Sequence, residues 1–237
     1  MLTDIAATHV GRVRKINEDR YICLASKLFV VADGMGGHAA GEIASSLLIS
    51  TIQELLTPKL GDVLTGEDLS DALQKANQRI LDKAAADKSC SGMGTTASIL
   101  YINEGSCIWA HVGDSRIYCY RQGQLLQLTQ DHSFVADLLA QGSITKEEAQ
   151  NHPQRNLLTR AVGVELPVKV DTGRMCMEAG DSFLLCTDGL TNMVSEVQLE
   201  HIMNTASAGK ADDMVQAALL AGGTDNITVI VVAVDHV

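Results

Sequence analysis

The sequence is poor in proline, in basic residues and in long apolar runs, and each shortage excludes a class of protein. Only three of the 237 residues are proline and 46% are hydrophobic, which favours a compact globular chain over a disordered one. The 29 Asp and Glu residues outnumber the 18 Lys and Arg residues, so the formal net charge is -11 and a nucleic-acid partner is not expected. The longest apolar run near the C-terminus, 229–234, is far too short to cross a membrane.

The six cysteines include no C-x-x-C pair, and most lie inside apolar segments with β-type composition. Such cysteines are typical of small buried side chains in a reducing compartment, not of zinc ligands or a disulfide framework. The N-terminus lacks a basic segment followed by an apolar one, so no signal peptide is expected. We therefore expect a cytoplasmic protein with no membrane partner, folded as one sizeable domain over 1–237.

The stretch FVVADGMGGH, residues 29–38, is the most informative local pattern. Its apolar residues predict a buried strand, and Asp33 follows at the end of that strand. Three glycines in the next four positions let the backbone turn sharply and approach another group closely. An acid beside such a backbone suits a metal or a phosphate, although a single Asp-Gly pair is also an ordinary turn signal.

Helical periodicity predicts two consecutive helices over 41–56 and 66–86 and two later helices over 196–205 and 211–221. Short runs with β-type composition predict strands, at 20–24, 95–102, 106–112, 116–120, 125–128, 168–175, 183–187 and 227–234. The four runs between 95 and 128 are predicted to form one antiparallel meander. The polar segment 131–165, with a capping box at Thr145 and Glu148, is predicted to be a lid or binding flap.

Four acids recur at the edges of apolar β-type runs, each beside glycine or asparagine: Asp33, Asp114, Asp188 and Asp225. If the strands belong to one packed pair of sheets, these edges converge. Converged carboxylates repel one another, and they are costly to desolvate unless a cation lies between them. No cluster of His and Cys accompanies them in the sequence, so all-oxygen ligation of Mg²⁺ or Mn²⁺ is predicted.

Two such ions about 4 Å apart make hydroxide available near neutral pH, which predicts in-line hydrolysis of a phosphate ester. Arg14 is then expected to neutralise the phosphate oxygens through a bidentate fork. Structural alternatives remain for the individual residues. Asp225 and Asn226 also fit a turn before the last strand, Asp114 also fits a surface ion pair with Arg116, and Arg14 also fits a cover over apolar surface.

Seven short motifs follow one another across nearly the whole chain: Arg14-x-x-Asn17-Glu18-Asp19, Val31-Ala32-Asp33-Gly34-Met35-Gly36-Gly37, Gly94-Thr95-Thr96, Gly113-Asp114-Ser115-Arg116, Asp131-His132-Ser133, Asp188-Gly189 and Asp225-Asn226. In this order they resemble the bacterial PPM, or PP2C-type, protein serine/threonine phosphatases. The resemblance implies an α+β fold, a four-layer αββα sandwich in which two antiparallel sheets are flanked by helices. It also implies a flap subdomain at roughly 133–165.

The resemblance further implies two catalytic Mn²⁺ or Mg²⁺ ions and a possible third. Asp33 resembles the acid that bridges both catalytic metals, and the Gly34 carbonyl is expected to be a ligand of the second. Asp188 and Asp225 are expected to complete the first metal site. Asp114, together with Asp188, resembles the site of the third and weaker ion.

Three further residues take roles from the same resemblance. Glu18 and Asp19 are expected to act through metal-bound water. Arg14 resembles the phosphate-binding arginine, so it is expected in both catalysis and substrate binding.

The position after Asp-Gly departs from the eukaryotic branch of the family, which has there a histidine proposed as the general acid. This sequence has Met35 at that position, and His38 lies three residues on, as is usual in the bacterial branch. His38 is therefore a candidate catalytic residue, with an exposed loop histidine as the alternative. Thr95 and Thr96 are interpreted as strand residues, not as catalytic ones.

The expected partners are phosphorylated protein substrates and a cognate bacterial Ser/Thr kinase, and the expected state is a monomer. Three other functions are alternatives. Residues 34–39 fit the dinucleotide pattern G-x-G-x-x-A, but Asp33 would repel a pyrophosphate and no second acid-ended strand follows about 20 residues on. A catalytically inactive regulator on the same fold would have no need of the full set of acids. A phosphatase of small metabolites would use the same chemistry, so the flap would decide between the two substrates.

Overall fold

The computed structural model describes residues 2–37 and 40–234, in which two antiparallel sheets pack face to face. Over these ranges one sheet has five strands, in the spatial order β1 (Leu2–His9), β11 (Ile227–Val234), β10 (Ser182–Cys186), β7 (Arg116–Arg121) and β8 (Gln124–Gln127). The other sheet has six, in the order β2 (Asp19–Leu24), β3 (Leu28–Met35), β5 (Ala97–Asn103), β6 (Ser106–Val112) and β9 (Asp171–Cys176), with the short β4 (Gly94–Thr95) paired to the end of β3.

Helices cover the outer faces of both sheets. The α-helices of the described ranges are α1 (Ala40–Leu56), α2 (Gly66–Ala86), α3 (Phe134–Ala140), α4 (Lys146–Gln150), α5 (Asp188–Thr191), α6 (Glu196–Met203) and α7 (Lys210–Leu220). Two short 3-10 helices, Thr57–Lys59 and Lys88–Cys90, follow α1 and α2. Within the described ranges, no helix combines the length and the apolar character needed to cross a lipid bilayer.

Strand β3 is almost entirely apolar because both of its faces are buried. Val30 and Ala32 pack with α1 and α2, whereas Phe29 and Val31 point into the layer between the two sheets. Successive side chains of a strand point to opposite faces, so one apolar strand contributes to two cores. Strand β11 of the five-stranded sheet also contributes to two cores. One of its faces packs with α7, and the other points into the layer between the two sheets. These layers confirm the predicted α+β sandwich of two antiparallel sheets flanked by helices.

Most predicted elements are confirmed to within a few residues. Helices α1 and α2 match the predictions of 41–56 and 66–86, and the capping box at Thr145 and Glu148 opens α4. The predicted strand over 168–175 begins only at Asp171 and ends at Cys176. The helix predicted to reach 205 ends at Met203.

The prediction of a single meander between 95 and 128 is wrong. Strands β5 and β6 pair in one sheet, whereas β7 and β8 pair in the other. The chain crosses between the sheets at Gly113, which has φ +112° and lies against the side chain of Thr96. A residue with a side chain would be strained by that φ and would overlap Thr96, so glycine permits the crossing. Regular spacing of strands and turns carries no signal for a change of sheet.

Strand β3 is also longer than predicted. Asp33 was expected after the strand, but the strand continues to Met35 because Gly34 and Met35 pair with Thr95 and Gly94. Asp33 therefore lies inside the sheet, directly opposite Asp19 on β2. The two acids are brought together by strand register and not by a flexible loop.

Candidate active site

A cavity of about 540 Å³ opens where the edges of the two sheets meet. Its lining brings together five of the acids singled out from the sequence, with one guanidinium from the same set: Glu18, Asp33, Asp114, Asp188, Asp225 and Arg14. Gly34 also lines this cavity, whereas Asp19 is buried beside Asp33. The elements that carry these residues are far apart in sequence, so only the fold assembles the group.

Asp33 and Asp114 are linked by the hydroxyl groups behind them. The Asp33 backbone N–H donates to Thr96 Oγ1 over 2.9 Å, and Thr96 Oγ1 lies 2.7 Å from Ser115 Oγ. Thr96 lies between β4 and β5 and lines the cavity, so it is more than the strand residue that the sequence indicated. The Thr96 hydroxyl therefore fixes the backbone of Asp33.

The alternative ion pair of Asp114 with Arg116 is wrong. The Arg116 guanidinium donates instead to Asp131 over 2.7 to 3.0 Å, and its Nη1 donates to the hydroxyl of Tyr118. The Asp114 carboxylate is therefore not paired with Arg116, and it lines the cavity.

Asp188 begins α5 one residue after β10 ends, and Asn192 Nδ2 donates to its Oδ2 over 3.0 Å. The next residue must be glycine, because a Cβ on Gly189 would overlap the backbone carbonyl oxygen of Asn226. This close approach brings Asp188 beside Asp225. The two Asp-containing turns are therefore packed backbone to backbone.

Asn226 holds the loop that carries Arg14, and the sequence assigned it no such role. Its Oδ1 accepts from the backbone N–H of Glu18 over 2.8 Å, and its Nδ2 donates to the carbonyl groups of Val10 and Ile16 over 2.9 and 3.0 Å. The residue is only 4% exposed. An asparagine beside a candidate ligand acid was visible in the sequence, but its long-range partners were not.

Arg14 donates from Nη2 to Asp225 Oδ2 over 2.8 Å and is half exposed. The alternative of a stem that only covers apolar surface does not describe this contact, since the guanidinium points into the acidic cavity. Asp225 precedes β11, as a turn residue would, and it is also engaged by this cation.

The acids of the cavity have raised pKa values, because they are buried close together with too little positive charge nearby to offset their repulsion. Burial, followed by repulsion from Asp19, Asp188 and the other acids, raises the pKa of Asp33 well above its usual range. Burial raises the pKa of Asp19 to about 7, against the lowering effect of hydrogen bonds from the hydroxyls of Thr228 and Thr187. The pKa values of Glu18, Asp114 and Asp188 are raised as well, in each case first by burial.

The residues present fit divalent cations. Two carboxylate oxygens, Glu18 Oε1 and Asp19 Oδ1, are buried without a hydrogen-bond partner. Buried unpaired charge costs several kcal/mol, and a cation among hard oxygen donors removes that cost. In the described ranges, no group of three or more His, Cys, Asp or Glu side chains has the spacing needed to hold a metal ion. Instead, Asp225 binds Arg14 and Asp188 binds Asn192. We expect a bound cation to replace such contacts.

A further part of the cavity wall could not be assigned residue by residue from the sequence. It is formed by the segment 156–165, which includes Leu157, Arg160 and Val164. Arg160 Nη1 donates to Asp171 Oδ1 over 2.8 Å, and His132 lies 3.0 Å from the other oxygen of the same carboxylate. His38, the candidate catalytic histidine, lies outside the described residues.

Three comparisons place this arrangement among known proteins. Residues 12–221 match the family model described as Protein phosphatase 2C. The serine/threonine phosphatase stp of Listeria monocytogenes is 40% identical over 238 residues, covering 96% of this chain and 94% of the relative. The crystal structure of the Mycobacterium tuberculosis serine/threonine phosphatase PstP/Ppp has a TM-score of 0.92 and 38% identity, covering 99% of both chains. The catalytic domain of PstP in complex with two manganese ions has a TM-score of 0.90 and 36% identity, again covering 99% of both chains.

These similarities extend over nearly the full length of the chain and include the segments that carry the acids and Arg14. They confirm the resemblance found in the ordered motifs and the enzyme class that it implied. The chain belongs to the protein phosphatase 2C family.

Proposed function

We propose that this protein hydrolyses the phosphate esters of phosphoserine and phosphothreonine in proteins, with two Mn²⁺ or Mg²⁺ ions as cofactors. The observation that carries the proposal is the cavity itself, where Arg14 and five of the acids singled out from the sequence converge from distant parts of the chain. The relative that binds two manganese ions supports the choice of metal.

The acids divide into groups by position. We propose that the Asp33 carboxylate and the Gly34 carbonyl hold the pair of ions together with Asp188 and Asp225. Asp114, together with Asp188, is proposed to hold a third and weaker ion. Bound ions of this kind lower the pKa of a water molecule to near neutrality and neutralise charge on the phosphate.

Glu18 and Asp19 are proposed to act through water. Each has one buried carboxylate oxygen without a protein partner, as an acceptor for water hydrogens requires. Asp19 is fixed from the other side, where the hydroxyls of Thr187 and Thr228 donate to its Oδ2 over 2.9 and 2.7 Å.

Arg14 is proposed to bind the phosphate. A guanidinium has five N–H donors, and one Nη2 hydrogen is engaged by Asp225. The second Nη2 hydrogen forms a fork with either the Nε hydrogen or an Nη1 hydrogen, and the fork that Asp225 does not use can hold two phosphate oxygens at once. Arg14 therefore orients the ester beside the acids.

We further propose that 1–237 is a single phosphatase domain and that the segment 133–165 is its flap. Residues 156–161, 164 and 165 of this segment line the cavity, as a flap beside the active site should. A protein substrate of this enzyme requires a Ser/Thr kinase to make it, so a cognate kinase is proposed, with a monomeric cytoplasmic phosphatase opposing it. His38 is kept as a candidate catalytic residue.

The test is hydrolysis of p-nitrophenyl phosphate and of a phosphothreonine peptide, with and without Mn²⁺. Both reactions should require Mn²⁺ or Mg²⁺ and should stop when EDTA is added. Full activity of a metal-stripped sample would contradict the mechanism. Hydrolysis of p-nitrophenyl phosphate and of small phosphate esters without hydrolysis of any phosphopeptide would favour a metabolite phosphatase.

A further inference from the structure

The apolar side chains at the surface are concentrated around the cavity. In the described part of the chain, nine large hydrophobic side chains are exposed. Two of these, Leu157 and Val164, line the cavity. Three more are within two positions in sequence of a residue that lines it: Val13, Ile16 and Leu166. Isolated exposed hydrophobics need no explanation, but a group of them beside a cleft marks a binding surface.

Three apolar side chains line the same cavity as the acids, and we call Met35, Leu157 and Val164 the apolar rim. All three line the cavity, and Leu157 and Val164 are 49% and 56% exposed. Met35 Cε and Val164 Cγ2 lie 2.6 and 3.2 Å from the point where a Cβ on Gly94 would stand. Glycine at position 94 therefore lets the two side chains meet over the backbone.

The apolar rim is held in place by hydrogen bonds from the fold. The carbonyl of Leu157 accepts from the backbone N–H of Phe134 over 2.8 Å. On either side of Val164, the buried Asn77 of α2 accepts from the Gly163 N–H over 2.6 Å and donates to the Glu165 carbonyl over 2.7 Å. Asn77 thus fixes an aliphatic side chain in an exposed position, so little order remains to be created when a ligand binds.

We propose that the apolar rim binds an aliphatic side chain adjacent to the phosphorylated residue of the substrate. This inference rests on the proposed function, because the phosphate must be held at the acidic side of the same cavity. Arg14 and the apolar rim line one cavity of about 540 Å³, so the residues beside a phosphorylated residue held at Arg14 are within reach of the rim. An uncharged aliphatic side chain there gains apolar contact.

The experiment compares two phosphothreonine peptides that differ only in the residues on both sides of the phosphothreonine, leucine in one and asparagine in the other. Asparagine is nearly the same shape as leucine and is uncharged, so the pair isolates apolar contact. With Mn²⁺ saturating, kcat/KM of the wild-type enzyme should be on the order of five- to tenfold higher for the leucine peptide. Equal values for the two peptides would overturn the proposal.

The double variant Leu157→Asn with Val164→Thr keeps the shapes of both side chains and removes their apolar character. Its preference for the leucine peptide should fall to about onefold. The matched control is Val63→Thr with Leu126→Asn, which changes two exposed hydrophobics that do not line the cavity and should keep the wild-type preference. An unchanged preference in the Leu157 and Val164 variant would overturn the proposal.

Two further outcomes separate the possible failures. If p-nitrophenyl phosphate is hydrolysed but neither peptide is, the proposed function fails and this inference fails with it. If both peptides are hydrolysed equally, the proposed function stands and only the apolar rim is refuted. The wild-type comparison does not depend on any variant, so a variant that fails to fold does not protect the proposal.

Discussion

Arg14 and Asp225 are 211 positions apart in the chain, and the Arg14 Nη2 donates to the Asp225 Oδ2 over 2.8 Å. Each of the two has a separate proposed role, Arg14 toward the phosphate and Asp225 toward a metal ion. Their contact couples the two roles, because the cation that binds phosphate also occupies an oxygen of a proposed metal ligand.

Replacing Arg14 with alanine should weaken substrate binding at least as much as it slows the reaction. The guanidinium contacts phosphate oxygens that exist in both the ground state and the transition state, so KM should rise. Loss of a charged hydrogen-bond partner costs roughly 1.5–3 kcal/mol, which predicts a fall in kcat/KM of about ten- to a hundredfold. Steady-state kinetics at saturating Mn²⁺ measure this.

Arg14→Lys is the matched variant, and it should recover only part of the loss because an ammonium cannot replace the fork. Mn²⁺ should bind slightly more tightly to Arg14→Ala than to the wild type, because the guanidinium that competes for Asp225 has been removed. The effect should be small because the pair is partly exposed. Wild-type kcat/KM in Arg14→Ala would show that the phosphate is held elsewhere.

Asp33→Asn and Asp188→Asn should each abolish turnover, because each change removes charge that holds a catalytic ion. Calorimetric titration with Mn²⁺ should show lost binding in both variants. The metal-free Asp33→Asn protein should melt at a higher temperature than the metal-free wild type, since Asp33 is repelled by Asp19, Asp188, Asp114 and Asp225. Unchanged Mn²⁺ binding in Asp33→Asn would refute the bridging role.

Asp114→Asn is the counterpart at the proposed third ion. It should retain the binding of the two catalytic ions and lose part of the activity. A variant that loses all Mn²⁺ binding would place Asp114 among the ligands of the catalytic pair.

Metal-free protein should lose stability as the pH rises from about 4 to about 7. Burial raises the folded-state pKa of Asp19 to about 7 from its ordinary value of 3.8. Between these two pH values the folded state therefore binds more protons than the unfolded state, so the free energy of unfolding falls as the pH rises. Above the folded-state pKa Asp19 is ionised in both states, and the fall ends. Thermal melting across this pH range in EDTA checks the direction.

Two controls identify the group responsible. Asp19→Asn cannot ionise, so its melting temperature should fall less steeply with pH than that of wild type. Saturating Mn²⁺ should also flatten the profile, because the cation stabilises the ionised carboxylates. A steeper fall in Asp19→Asn than in wild type would contradict the assignment.

The sequence predicts most of the elements because their signals are local. The stripe of α2 and its capping box at Thr65 and Asp68 specify that helix without reference to the rest of the chain. The acids were recognisable for a similar reason, since each occupies a short motif beside a strand or turn. What the sequence could not show is contact between distant segments, such as Asp33 opposite Asp19, or the change of sheet at Gly113.

The sequence predicts a flap here, but not the conformation of its part that lines the cavity, for a different physical reason. The segment 156–165 has only isolated bridges, Thr95 with Val162 and Ser133 with Leu158, and no periodicity of its own. Its conformation is imposed by Asn77 on a distant helix, which no local pattern of apolar residues could reveal.

The last prediction concerns Asn226, which ties the Arg14 loop to β11 by three hydrogen bonds. Asn226→Ala removes all three and leaves the partly buried Glu18 N–H without its acceptor, at a cost of about 1–3 kcal/mol. The protein should therefore melt at a lower temperature, and kcat/KM should fall because Arg14 and Glu18 are no longer held. If Asn226 acts by positioning Arg14, the loss in the double variant Asn226→Ala with Arg14→Ala should be smaller than the product of the two single losses. Independent, multiplying losses would show that Asn226 affects catalysis by a route that does not pass through Arg14.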